Sequence, residues 1–113
     1  MIKIYHNPRC SKSRQGLEIL DKSGVKFKTI KYLEDIPTEE ELEEIIELLK
    51  IKPEQLIRKN ETIWKENYKG KELNDEALIQ AMIKHPKLIE RPIVINGNKA
   101  VIGRPPQIIT SIL

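Results

Sequence analysis

Cysteine is almost absent from the 113-residue chain: Cys10 stands alone. One thiol cannot close an internal disulfide, so nothing suggests a secreted, disulfide-stapled fold. No apolar run approaches the ~20 residues that span a bilayer. The opening MIKIY is too short for the apolar core of a signal peptide. Excess charge is scarce too, since 20 lysines and arginines against 17 aspartates and glutamates leave only +3. The cations are dispersed, without the long basic stripe that double-stranded nucleic acid demands, although a smaller anion suits such a chain. Repeats, low-complexity segments and linkers are also missing. These absences lead us to expect a soluble, cytoplasmic protein with no nucleic-acid or membrane partner, folded as one domain over residues 1–113. Folding at this size buries roughly 65% of the unfolded surface, enough for a core without metal or disulfide.

What is present alternates between strand and helix patterns. Met1 to Tyr5 reads as a strand ended by the turn formers Asn7 and Pro8. Ser11 to Ser23 reads as a helix on the face set by Leu17, Ile19 and Leu20, with Gly24 as its stop. Val25 to Tyr32 reads as a second strand, Val25, Phe27 and Thr29 alternating with Lys26 and Lys28. Thr38 and Glu41 form a capping box for an acidic helix striped by Leu42, Ile45, Ile46 and Leu49. Pro53 opens a short helix through Ile57. Asn74 caps another, stapled by Leu73 and Leu78 and ending before Pro86, with Met82 in the core. A tight hairpin at Asn96-Gly97, or a loop lengthened by Asn98, joins the strands IVI and AVIG. Pro105 and Pro106 open a last helix that turns Ile108, Ile109 and Ile112 toward the sheet. The result is an α/β domain: strand, helix, strand, helical middle, hairpin, terminal helix.

Cys10 falls in IYHNPRCSKSR, in the turn between the first strand and the first helix. Backbone N–H groups at a helix start carry partial positive charge and accept anions. They depress a thiol pKa there, as do neighbouring cations such as Arg9, Lys12 and Arg14. Thiolate and anion cradle then coincide, which suits nucleophilic attack on an oxyanion. A lone buried cysteine is more often inert, but inert thiols rarely have three cationic neighbours. The tyrosine-phosphatase loop is absent, because three residues rather than five separate Cys10 from Arg14. The redox pair C-x-x-C is absent as well, with Ser13 in the second position.

The stretch IYHNPRCSKSR, followed in order by LIRKN (56–60), HPKLIERPIVI (85–95) and VIGRPP (101–106), resembles the glutaredoxin-linked arsenate reductases along the whole chain. The resemblance implies a thioredoxin-like fold, a four-stranded mixed sheet flanked by helices with a helical insertion. It implies reduction of arsenate, or a similar oxyanion, to arsenite through a Cys10 adduct. By the same resemblance Arg58, Arg91 and Arg104 bind the oxyanion, Pro92 is a cis proline, and His6 assists thiolate formation. Ser13, Arg14 and Pro92 join the arginines in the substrate-binding set. No bound cofactor or metal is expected; glutathione is the expected co-substrate and glutaredoxin the protein partner.

Arginine chemistry agrees, because a planar, always charged fork of donors fits oxyanions. Taken singly, each arginine also has a plain reading: Arg58 closes a short helix, and Arg91 and Arg104 precede prolines in loops. His85 reads as a cation at a helix end, and Trp64 as packing. Two other functions share these motifs. One is an Spx-type redox-sensing regulator that binds RNA polymerase, though such regulators commonly carry the C-x-x-C that Ser13 removes. The other is a related thiol reductase with a different substrate.

Overall fold

The isoleucine-rich opening forms β1, Ile2–Tyr5, whose Ile2, Ile4 and Tyr5 are buried. The computed structural model describes residues 1–113 and divides them into two units, residues 1–35 with 91–113 and residues 36–90. The first unit adds α1 (Ser11–Ser23), β2 (Phe27–Ile30), β3 (Ile93–Asn96) and β4 (Lys99–Ile102), and ends in a 3-10 helix, Pro106–Ile112. Its four strands lie in the order β2-β1-β3-β4, with β1 parallel to β2 and antiparallel to β3, and β3 antiparallel to β4. This is the four-stranded mixed sheet with flanking helices that was expected.

The core of this unit gathers Ile2, Ile4, Leu20, Val94, Ile109 and Ile112, with Leu17, Ile19, Phe27 and Val101 packed against them. Helix α1 has the expected limits because Gly24 takes a left-handed φ of 76° and ends it. Strand β2 is shorter than Val25 to Tyr32. It is an edge strand paired only with β1, residue for residue from Ile2↔Phe27 to Tyr5↔Ile30, so four-residue β1 limits it. Thr29, expected on the inner face, is exposed.

The hairpin takes Asn98 into its loop, as allowed for, and Asn96 into the strand. Asn96 pairs with Lys99, so Gly97 and Asn98 form the loop. Only Gly97 has a positive φ, 63°, the glycine-first pattern of a type II′ turn. The terminal helix departs in pitch. With three residues per turn, Pro106, Ile109 and Ile112 share one face and are buried, whereas Ile108 swings off it and is 42% exposed. The expected inward placement of Ile108 assumed an α-helical period.

The second unit is the helical insertion between β2 and β3: α2 (Glu39–Leu49), α3 (Thr62–Asn67) and α4 (Asp75–Lys84), with 3-10 turns at Pro53–Leu56 and Pro86–Leu88. The capping box is present, Thr38 Oγ1 accepting from Glu41 N at 3.1 Å and Glu41 Oε1 from Thr38 N at 3.2 Å. Asn74 caps α4 through Ala77 N at 2.8 Å. Leu42, Ile45, Ile46, Leu56, Leu78, Met82 and Leu88 are buried in this unit. Helix α3 had no sequence counterpart; its Trp64 is buried and stacks on Tyr68. No helix is long and apolar enough to cross a membrane.

Candidate active site

Strand β1 hands its chain to α1 through a turn that the sequence builds locally. His6 N donates to Ile30 O at 2.8 Å, continuing the β1–β2 ladder by one bond. Asn7 then folds the chain back: its O accepts from Cys10 N at 3.0 Å and its Oδ1 from Arg9 N at 3.0 Å. Cys10 has extended backbone angles, φ −95° and ψ 123°, and its carbonyl accepts the first helical bond, from Arg14 N at 3.0 Å. The cysteine is therefore the N-cap residue of α1. Helices α2 and α4 begin with an oxygen cap; α1 has no side-chain cap and no acid in its first turn. A neutral thiol accepts hydrogen bonds weakly. The thiolate is a far better acceptor for those same N–H groups.

The hairpin brings the arginines to this turn. Register runs Tyr5↔Ile93↔Ile102, so the end of β1, the start of β3 and the end of β4 converge. Gly103 N extends the hairpin by donating to Pro92 O at 2.8 Å. Arg104 Nη1 reaches Cys10 Sγ at 3.8 Å and donates to Arg91 O at 3.0 Å. Arg91 is buried, and the Arg91–Pro92 and Arg104–Pro105 peptides are cis. Pro92 is seated between two glycines, because a Cβ at Gly16 or Gly103 would stand 3.0 or 2.9 Å from its Cγ.

Three groups set the thiol's acidity. Burial pushes the Cys10 pKa up, but the Ser13 backbone N–H and the Arg91 and Arg104 guanidiniums together hold it below its ordinary value. Arg9, Lys12 and Arg14, the sequence neighbours expected to do this, are all exposed and are not among those causes. Arg14 Nη1 instead donates to Pro8 O at 3.0 Å.

His6 is buried with Nδ1 2.7 Å from Ser13 Oγ, which also accepts from Asn7 N at 2.9 Å. Burial, then Lys31 and Arg14, push the His6 pKa down against the opposing effect of Ser13. A neutral imidazole results at pH 7. It is joined to Ser13, and Ser13 serves the thiol through its backbone. Ser13 thus links His6 to Cys10, a role that residue type alone gave no sign of.

Arg58 belongs to the second unit. An isolated bridge pairs Ile57 with Ile89, with Arg58 N donating to Leu88 O at 2.7 Å and Glu90 N to Leu56 O at 2.8 Å. Within that frame Arg58 Nη1 pairs with Glu90 at 2.7 Å and Nε with Glu61 at 3.4 Å. Burial lowers the Arg58 pKa, but the two carboxylates more than offset this, so the guanidinium stays charged. Neither carboxylate stood out in the sequence, although Glu61 lies three residues along.

Residues 5–112 match the model of the ArsC family. The chain is 45% identical to a protein of Escherichia coli (strain K12) named uncharacterized protein YfgD, over 99% of this chain and 96% of that one. It is 42% identical to an arsenate reductase of Haemophilus influenzae, over 97% of each chain. Among solved structures, an arsenate reductase from Vibrio cholerae superposes with a TM-score of 0.95 at 45% identity, covering 99% of this chain and 97% of that one.

Proposed function

Because the chain belongs to the ArsC family, we propose that it is a thiol-dependent arsenate reductase whose nucleophile is Cys10. The observation that carries this reading is the Arg104 guanidinium on Cys10 Sγ, at the uncapped start of α1, with the thiol pKa depressed. A thiolate stabilised by Ser13 N–H, Arg91 and Arg104 sits where an oxyanion would find the same donors. Relatives named arsenate reductase over nearly the whole chain support arsenate as the anion.

In this reading the Cys10 thiolate displaces an oxygen of arsenate, which leaves as hydroxide or water, and an S–As(V) bond forms. Arg91 and Arg104 hold the oxyanion and take up charge on its oxygens; Arg58 is the third guanidinium by resemblance. Arsenic then needs two electrons. With one cysteine in the chain, the resolving thiol comes from outside. Glutathione thiolate attacks Cys10 Sγ, the S–As bond breaks with its electron pair going to arsenic, and arsenite leaves. The mixed disulfide on Cys10 is returned to the thiol by exchange with glutaredoxin and further glutathione. No bound cofactor is needed.

The test is arsenate-dependent NADPH oxidation coupled through glutathione, glutaredoxin and glutathione reductase. Turnover is expected with the full system and not with thioredoxin and its reductase. Without glutaredoxin, mass spectrometry should find glutathione on Cys10. A protein that turns over no arsenate with any of these donors overturns the assignment.

A further inference from the structure

Residues 36–90 are acidic overall, with 13 carboxylates against 9 lysines and arginines. Four of those nine line a single cavity of about 430 Å³: Lys59, Lys65, Lys69 and Lys71. Its one acid is Glu54, which is ion-paired to Lys59. Glu66 and Glu72 are near in sequence but are not part of the lining. The lining therefore carries a net +3, equal to the charge of the entire chain.

Local backbone geometry gathers these charges. Lys65 lies on α3, and Tyr68 N and Lys69 N both bond back to Trp64 O at 2.9 and 3.0 Å, closing the helix. Gly70, at φ 80°, then reverses the chain and returns Lys71 to the same wall. Lys65 and Lys69 stand at i,i+4 spacing, where like charges repel. Cations concentrated in this way are relieved by a bound counter-anion.

The aromatic in the wall narrows the ligand. Trp64 is only 9% exposed, its ring stacks on Tyr68 at 5.5 Å between centroids, and Lys59 Nζ lies 5.9 Å over it. So little of the ring is exposed that it is a poor platform for a stacked nucleobase. Lysine ammonium groups are compact point charges with rotatable donors, suited to tetrahedral oxyanions approached from several sides. We propose that the Lys59–Lys65–Lys69–Lys71 cavity is a second anion site that binds a compact oligophosphate through its phosphates alone. The site is separate from the thiol chemistry above and does not depend on it.

Trp64 is the only tryptophan of the chain and lines the cavity, so its fluorescence reports occupancy. The full-length protein is titrated with inorganic tripolyphosphate against sodium chloride of matched ionic strength, and with ATP in parallel. A saturable emission change with tripolyphosphate, absent with chloride, is expected, with ATP binding no tighter. Affinity should fall at least tenfold in Lys65→Gln/Lys69→Gln. It should hold in Arg104→Gln, and in Lys26→Gln/Lys28→Gln, which removes equal charge elsewhere. No saturable change, equal weakening in the Lys26/Lys28 control, or loss in Arg104→Gln overturns the site. Clearly tighter ATP binding overturns the assigned ligand class.

Discussion

Gly103→Ala adds one carbon where the structure has no room for it. The new Cβ would stand 2.9 Å from both Ile109 Cδ1 and Pro92 Cγ, closer than carbon atoms approach without movement. Ile109 and Pro92 are both fully buried, and a proline ring cannot rotate aside. Overpacking of this kind costs about 1–3 kcal/mol. Gly103 does not need a positive φ, so alanine returns about 0.4–1 kcal/mol by restricting the unfolded chain. The net destabilisation is about 1–2 kcal/mol, a fall in Tm of roughly 4–8 °C for a domain of this size.

Gly16→Ala makes an informative partner. Its Cβ meets the same two atoms at 3.0 Å, but it lies inside α1, where alanine is favoured by about 1 kcal/mol. Its Tm should change much less. Ile109→Val deletes the clashing Cδ1, costing about 0.5–1.5 kcal/mol in the wild type and less in the Gly103→Ala background. Thermal unfolding of the four proteins gives the coupling directly. Pro92 carries Arg91, whose carbonyl holds Arg104 at the thiol, so Gly103→Ala should also lower kcat/KM for arsenate about tenfold or more. A Gly103→Ala protein as stable as wild type, or additive effects with Ile109→Val, would refute this packing argument.

Iodoacetamide labelling of Cys10 should have its pH midpoint below the ~8.5 of a free thiol, and Arg104→Gln should raise it; an unchanged midpoint means Arg104 does not act on the thiolate. Glu90→Gln removes a 2.7 Å partner from partly buried Arg58 and should cost about 1–2 kcal/mol in urea unfolding. The exposed Glu54–Lys59 pair should show no measurable effect when broken by Glu54→Gln. His6 has a folded pKa below its unfolded value. The unfolded chain thus binds the extra proton as pH drops below ~6.5, and stability falls through that window. His6→Gln should make stability less steep with pH there, and identical slopes for the two proteins would count against it.

Secondary structure was most legible where chemistry fixes a boundary locally. The helix stop at Gly24, the Thr38–Glu41 capping box and the Asn74 cap each rest on one or two side chains or one φ angle, and all three are in place. Errors arose where two periods fit the same residues. Ile108, Ile109 and Ile112 suit an α-helical face, and only the 3-10 pitch separates Ile108 from the others. Helix α3 gave no stripe to read, being six residues long without a side-chain cap.

The candidate site divides along the same line. Cys10 was legible as a candidate nucleophile, and the structure places it at the N-cap of α1, because a helix start beside a strand end is a local feature, visible in eleven consecutive residues. Of the groups that acidify it, the Ser13 backbone N–H lies in that stretch, at the helix start where it was expected, whereas the Arg91 and Arg104 guanidiniums lie outside it. Arg9, Lys12 and Arg14 share it with the thiol, yet all three are exposed. Arg104 lies 94 residues away and arrives only because β1, β3 and β4 keep register through Tyr5, Ile93 and Ile102. Its distance to Sγ is thus a property of the sheet. A one-residue slip of β4 would point every side chain of that strand to the opposite face and withdraw the guanidinium, with no residue near Cys10 altered. Two-residue loop Gly97–Asn98, not the charged stretch around the cysteine, therefore sets part of the thiol's acidity, and lengthening that loop by one residue should raise the Cys10 labelling midpoint much as Arg104→Gln does.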